Sequence, residues 1–121
     1  MKIGKISQIA ISVKSLEAAK AFYGETLGFQ FLFEAPPQMA FFDIDGIRLL
    51  IGEAKEVIPN GPILYFSVED IEATYKTLEE KGVACERAPQ MTHKTEASEL
   101  WLAVFKDPDG HTLALMEEKA I

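Results

Sequence analysis

The sequence predicts an α+β fold: two βαβββ modules forming a curved mixed sheet around a concave cleft, with the helices outside. Three observations predict it. Gln8–Val13 and Ile63–Val68 both alternate apolar and polar residues, the period of a strand with one buried face. Each is followed by a cap residue, a helical apolar stripe and a stopping glycine. A turn ending Asp-Gly then precedes an alternating strand in both halves, at Asp43–Gly46 and Asp107–Gly110.

The elements follow in order. In the first strand Ile9, Ile11 and Val13 form the apolar set. Ser15 is the helix cap, Leu16, Ala19, Tyr23 and Leu27 recur at helical spacing, and Gly28 is the stop. Strands are predicted at 29–33 and 39–42, separated by Pro36 and Pro37. A type I turn at 43–46 leads into a strand over 47–51. Pro59, Asn60, Gly61 and Pro62 form a hinge. Leu64, Phe66 and Val68 then repeat the first strand, Asp70 the cap, Ile71, Thr74 and Leu78 the stripe, and Gly82 the stop. Ser12 and Val13 match Ser67 and Val68 at an offset of 55; Gly28 and Gly82 match after one deletion. Strands at 83–85, 100–105 and 111–115 complete the second half, with a polar loop at 90–98 and a type I turn at 107–110.

At 121 residues the chain is expected to be a single domain, with modules of about 1–58 and 62–121; either half alone would be marginal. It is 48% hydrophobic and 26% charged, enough apolar material for a core. No apolar run approaches the ~20 residues of a membrane span, and no signal peptide is read. One cysteine, Cys85, cannot form an internal disulfide, which points to a cytoplasmic protein. The net charge of −7 provides no basic face for nucleic acid and suits a cationic ligand.

Alternation also assigns faces. With Ile9, Ile11 and Val13 toward the helix, Gln8, Ala10 and Ser12 point to the concave side, as do Ile63, Tyr65 and Ser67. With Leu49 and Leu113 in the core, Arg48, Leu50 and Gly52 share the concave side with Thr112, Ala114 and Met116. This lining suits an organic ligand. The predicted ligand-binding residues are Gln8, Arg48, Leu50, Ile63, Tyr65, Trp101 and Ala114. Trp101 is included as an aromatic platform, although it shares strand parity with Phe105, a core residue.

Gln8–Val13, the helix Leu16–Tyr23 ending in Leu27, Gly28 and Phe29, and the run Phe105–His111 resemble the vicinal oxygen chelate superfamily. That group holds glyoxalase I, extradiol dioxygenases, fosfomycin-resistance enzymes and bleomycin-resistance proteins. The resemblance covers the whole chain and implies paired βαβββ modules and a homodimer. Its enzymes hold a divalent metal through His, Glu or Gln on the first and last strands of each module. Carried over, those positions are Gln8, Leu50, Ile63 and Ala114, of which only Gln8 has a donor atom. His93 and His111 fall elsewhere, and Asp107 and Asp109 read as turn residues. The expectation is therefore no metal, no cofactor and no assigned catalytic residue. Three functions stay open: a metal-free small-molecule-binding protein that sequesters a drug or metabolite, a lyase- or dioxygenase-type enzyme with an atypical metal site or none, and an interaction module with a filled concave face.

Overall fold

A computed structural model describes residues 1–59 and 61–121; the hinge residue Asn60 lies outside the described residues. The chain is α+β and contains two βαβββ modules, in compact units Met1–Val57 and Ile58–Ile121.

The first module runs β1 (Gln8–Val13), α1 (Leu16–Lys20), β2 (Gln30–Ala35), β3 (Met39–Ile44) and β4 (Ile47–Glu53). Its sheet has the order β1-β4-β3-β2. β1 lies parallel to β4, because the helix carries the chain back across the sheet, and the other pairs are antiparallel. The register sets Ile11 beside Ile51 and Ile51 beside Ala40. Leu49, Ile51, Ala40 and Phe42 are buried with Leu16, Ala19, Phe22 and Tyr23 from the helical segment. This is the helix-facing side expected from alternation.

The second module runs β5 (Leu64–Ser67), α2 (Ile71–Glu80), β6 (Ala84–Lys94), β7 (Ser98–Lys106) and β8 (Thr112–Ala120), with sheet order β5-β8-β7-β6. Its core combines Ile71, Tyr75 and Leu78 of α2 with Phe105, Ala103, Leu113 and Leu115. Tyr75 therefore fills the place that the sequence stripe assigns to Thr74, which is only half-buried.

Three local expectations need correction. The first helix is not uniform: after Lys20 it widens into π-helical turns over Ala21–Thr26. Leu27 N–H reaches the carbonyl of Phe22, five residues back, whereas Lys81 N–H in α2 reaches Thr77, four back. The first helix has one more residue than the second between its cap and its glycine, and the wider turn absorbs it. The turn at Asp43–Gly46 is not type I: Asp45 and Gly46 both have positive φ (49° and 93°) and join β3 to β4 as a two-residue hairpin. The expected polar loop at 90–98 is mostly strand, since β6 continues to Lys94 and His93 pairs with Leu100. The second turn behaves as expected, with Gly110 N–H donating to the Asp107 carbonyl at 3.0 Å.

Among the described residues, no helix is long and apolar enough to cross a membrane.

Candidate functional site

Each sheet presents a second face, away from its helix. In the first module the rows of this face follow from register: Gln8 beside Arg48, then Ala10 beside Leu50 beside Phe41 beside Phe33. Phe33 and Phe41 stack with centroids 4.6 Å apart, and the Arg48 guanidinium lies 5.8 Å from the Phe41 centroid. Gln8, Arg48 and Leu50 are thus brought together on one face, with Gln8 and Arg48 exposed and Leu50 half-buried.

In the second module the corresponding face is hollow. A concavity of about 530 Å³ is lined by Ile63, Tyr65 and Ala114, and by Val104 and Leu102 on the neighbouring strand. The register explains the grouping, because Tyr65 pairs with Ala114 and Ala114 with Val104, so all three point the same way. Ala114 is the buried floor, while Ile63 and Tyr65 stand at the rim, 46% and 53% exposed. A methyl-sized floor between larger walls leaves room for a ligand.

Trp101 is not brought to this hollow. It pairs with Glu117 on the face that carries Phe105 and α2. Its indole N–H donates to Glu99 at 3.0 Å, and the Lys119 ammonium sits 4.4 Å from its ring centroid. Its environment is an ion-pair surface beside the helix.

Sequence reading missed five lining residues: Leu102 and Val104 on β7, Thr92 in the extension of β6, and the charged pair Glu86 and Arg87. Cys85 pairs with Phe105 and Arg87 with Val104, so β6 bulges by one residue between them. The bulge turns both charged side chains toward the hollow. Nothing in simple alternation signals this. Thr92 and Thr112 also line the hollow. The Thr92 hydroxyl donates to the Leu100 carbonyl (3.2 Å), and Thr112 Oγ1 accepts from Lys106 Nζ (2.9 Å).

The donor chemistry at the four positions carried over from the family is simple. Leu50, Ile63 and Ala114 have hydrocarbon side chains with no lone pair, and Gln8 has one neutral amide oxygen. These residues do not fit a divalent metal. Asp107 and Asp109 belong to the second turn, as expected, and Asp43, on β3, braces the first. Asp107 Oδ1 accepts the N–H groups of Asp109 and His111 at 3.0 and 2.8 Å, and Asp43 accepts from Gly46 N–H.

Among the described residues one group of three carboxylates converges, Asp70, Glu72 and Glu117, with ligand atoms within 4.8 Å of one another. All three have other work. Asp70 Oδ1 caps Ala73 N–H (3.1 Å), Glu117 Oε1 accepts Ile71 N–H (2.8 Å), and Glu72 pairs with Lys119 (2.7 Å). The group is the capping apparatus of α2, on the helix side of the sheet.

The free thiol of Cys85 is half-buried, and burial pushes its pKa up. The Tyr75 hydroxyl hydrogen-bonds it and acts in the opposite direction. A raised pKa keeps the thiol protonated and inert.

Comparison with known proteins agrees with this architecture. Residues 5–115 match the family model described as the Glyoxalase/Bleomycin resistance protein/Dioxygenase superfamily. The chain is 29% identical to YraH of Bacillus subtilis (strain 168), covering 92% of this chain and 96% of that protein. It is 30% identical to YurT of the same organism, covering 94% and 99%. Among solved structures, a glyoxalase/bleomycin resistance protein/dioxygenase superfamily member from Sphaerobacter thermophilus DSM 20745 is 27% identical, with a TM-score of 0.78 and coverage of 96% and 98%.

Proposed function

We propose a binding role from one premise: this chain belongs to the Glyoxalase/Bleomycin resistance protein/Dioxygenase superfamily. In this reading it holds a small organic molecule in the hollow of its second sheet and sequesters it without a resident divalent metal. The observation that carries the reading is the side-chain chemistry of that hollow. Ile63 and Ala114 occupy the two positions where the family pattern calls for metal ligands, and they form part of the apolar wall of a concavity of about 530 Å³. The volume falls within the usual range of small-molecule pockets, roughly 300–1,000 Å³. An apolar wall beside a few polar groups favours burial of a ligand's hydrocarbon part.

The proposal extends to a cytoplasmic homodimer. Support comes from the edge strand β2, which leaves Phe31, Leu32 and Phe33 40–45% exposed. Exposed apolar side chains on a sheet edge are commonly covered by a partner.

The deciding experiment is metal content by plasma mass spectrometry, on protein purified without chelator or histidine tag, followed by calorimetric titration with small organic compounds. Near-zero metal together with binding heat is expected. One tightly held transition metal per chain would overturn the metal-free reading, and lyase and dioxygenase assays would then follow.

A further inference from the structure

We propose that the hollow on the second sheet takes a small organic anion, a carboxylate on an apolar body, and that Arg87 holds the carboxylate. The inference rests on reading that hollow as a ligand site and adds the sign of the ligand's charge.

The bulge in β6 is the starting point. Because two residues of β6 oppose one of β7 there, Glu86 and Arg87 both face the hollow instead of alternating across the sheet. Their charges are not equivalent. The Glu86 carboxylate has a cation nearby, Lys106 Nζ at 3.9 Å. Arg87 has no ion pair or hydrogen bond to its guanidinium among the described residues. It therefore presents a planar fork of N–H donors, whose geometry matches a carboxylate through two parallel hydrogen bonds.

A second donor lines the same hollow, on β8. Lys106 Nζ donates to Thr112 Oγ1 at 2.9 Å, which uses a lone pair of that hydroxyl and leaves its hydrogen to donate into the hollow. Counting Arg87 and Lys106 against Glu86, the local charge is +1 in a chain whose net charge is −7. The chain-wide field opposes the approach of an anion, but it is screened beyond roughly 8 Å at physiological ionic strength. Contact chemistry decides what stays bound. Ala114, Val104 and Leu102 receive the apolar body.

The test uses the full ¹⁵N-labelled chain, titrated with phenylpropionate, its neutral amide and the matching phenylpropylamine, and followed by amide NMR shifts. Wild type, Arg87→Gln and Arg87→Lys are compared. Arg87 is exposed, so neither substitution removes core packing. The expected result is that phenylpropionate shifts the Tyr65 and Ala114 amides and binds about tenfold or more tighter than the amide, the scale of one charge-assisted hydrogen bond. Arg87→Gln should abolish that preference, and Arg87→Lys should keep part of it. If the amide or the amine binds as tightly, the anion assignment is overturned; if Arg87→Gln retains the preference, the assignment of the carboxylate to Arg87 is overturned; in both cases the ligand site stands. If none of the three compounds shifts those amides, the ligand-site reading fails and this inference fails with it.

Discussion

Ile71 N–H donates to Glu117 Oε1 at 2.8 Å, across 46 residues of sequence, and so ties the first turn of α2 to β8. The first module repeats the device: Leu16 N–H donates to Glu53 Oε2, also at 2.8 Å. Glu53 and Glu117 are offset by 64 positions, as Leu49 and Leu113 are. Each glutamate satisfies a helix N–H that has no intrahelical partner, and its charge lies at the positive end of a helix. Each helix N-terminus is thereby fixed from two directions, by its own cap (Ser15 or Asp70) and by the last strand of its module.

Removing the tie between α2 and β8 should be costly in stability and silent in binding. Glu117→Ala is expected to lower unfolding free energy by about 1–2 kcal/mol, the usual cost of a lost cap or charged hydrogen bond. Glu117→Gln, which keeps an acceptor, should lose less. Urea denaturation midpoints measure both; equal stability of the alanine variant and wild type would contradict the assignment.

Core and hollow should separate cleanly. Phe105 is fully buried, so Phe105→Ala should cost about 3–5 kcal/mol through lost burial and the cavity left behind. Tyr65 is 53% exposed, and Tyr65→Ala should change stability by no more than about 0.5 kcal/mol. Ligand affinity should respond to Tyr65→Ala even though the melting curve does not.

Chelator treatment should leave the thermal midpoint unchanged. A ligand bound only to the folded state adds to stability by mass action, so stripping a resident metal would lower the midpoint. Differential scanning calorimetry before and after dialysis against EDTA checks this.

Trp101 provides a spectroscopic control. It is the sole tryptophan and lies on the face of the second sheet opposite Tyr65 and Ala114. Ligand entering the hollow should leave its emission maximum in place. Lys119→Met, which removes the ammonium 4.4 Å from the ring centroid, should move it.

The Cys85 thiol gives a pH prediction. Its pKa is raised in the folded state, so the folded protein keeps a proton that the unfolded chain releases first. Stability from this group is fully present below the ordinary thiol range and declines as pH rises through the folded pKa. Iodoacetamide should alkylate the native chain at pH 8 more slowly than the urea-unfolded chain, and the stability difference between wild type and Cys85→Ala should hold below the ordinary thiol range and narrow as pH rises through and beyond it.

Alternation and capping are local properties, and they were legible. Ile9, Ile11 and Val13 share a face because strand side chains alternate, whatever surrounds them. Gly28 and Gly82 both adopt φ of 80°, which glycine tolerates without the strain of a Cβ, so the helix ends could be read directly. The equivalence of Leu49 and Leu113 followed from the turns before them, and with it the placing of Leu50 and Ala114 on the second face of their respective sheets.

What the tertiary structure decided depends on partners distant in sequence. One extra residue in the first helix became π-helical turns over Ala21–Thr26, since the cap at Ser15 and the left-handed Gly28 hold both ends of the segment. Glu53 and Glu117 became caps only when β4 and β8 brought them beside helix starts 37 and 46 residues away. Arg87 faces the hollow because β6 bulges against β7, a mismatch in register that neither strand shows by itself. By itself, then, the sequence determined most of the strands, the helix limits, the repeat and the second face of each sheet, through interactions reaching a few residues along the chain. Only strand pairing decided which charges line the hollow, because a register shift changes the face of a side chain without changing any residue.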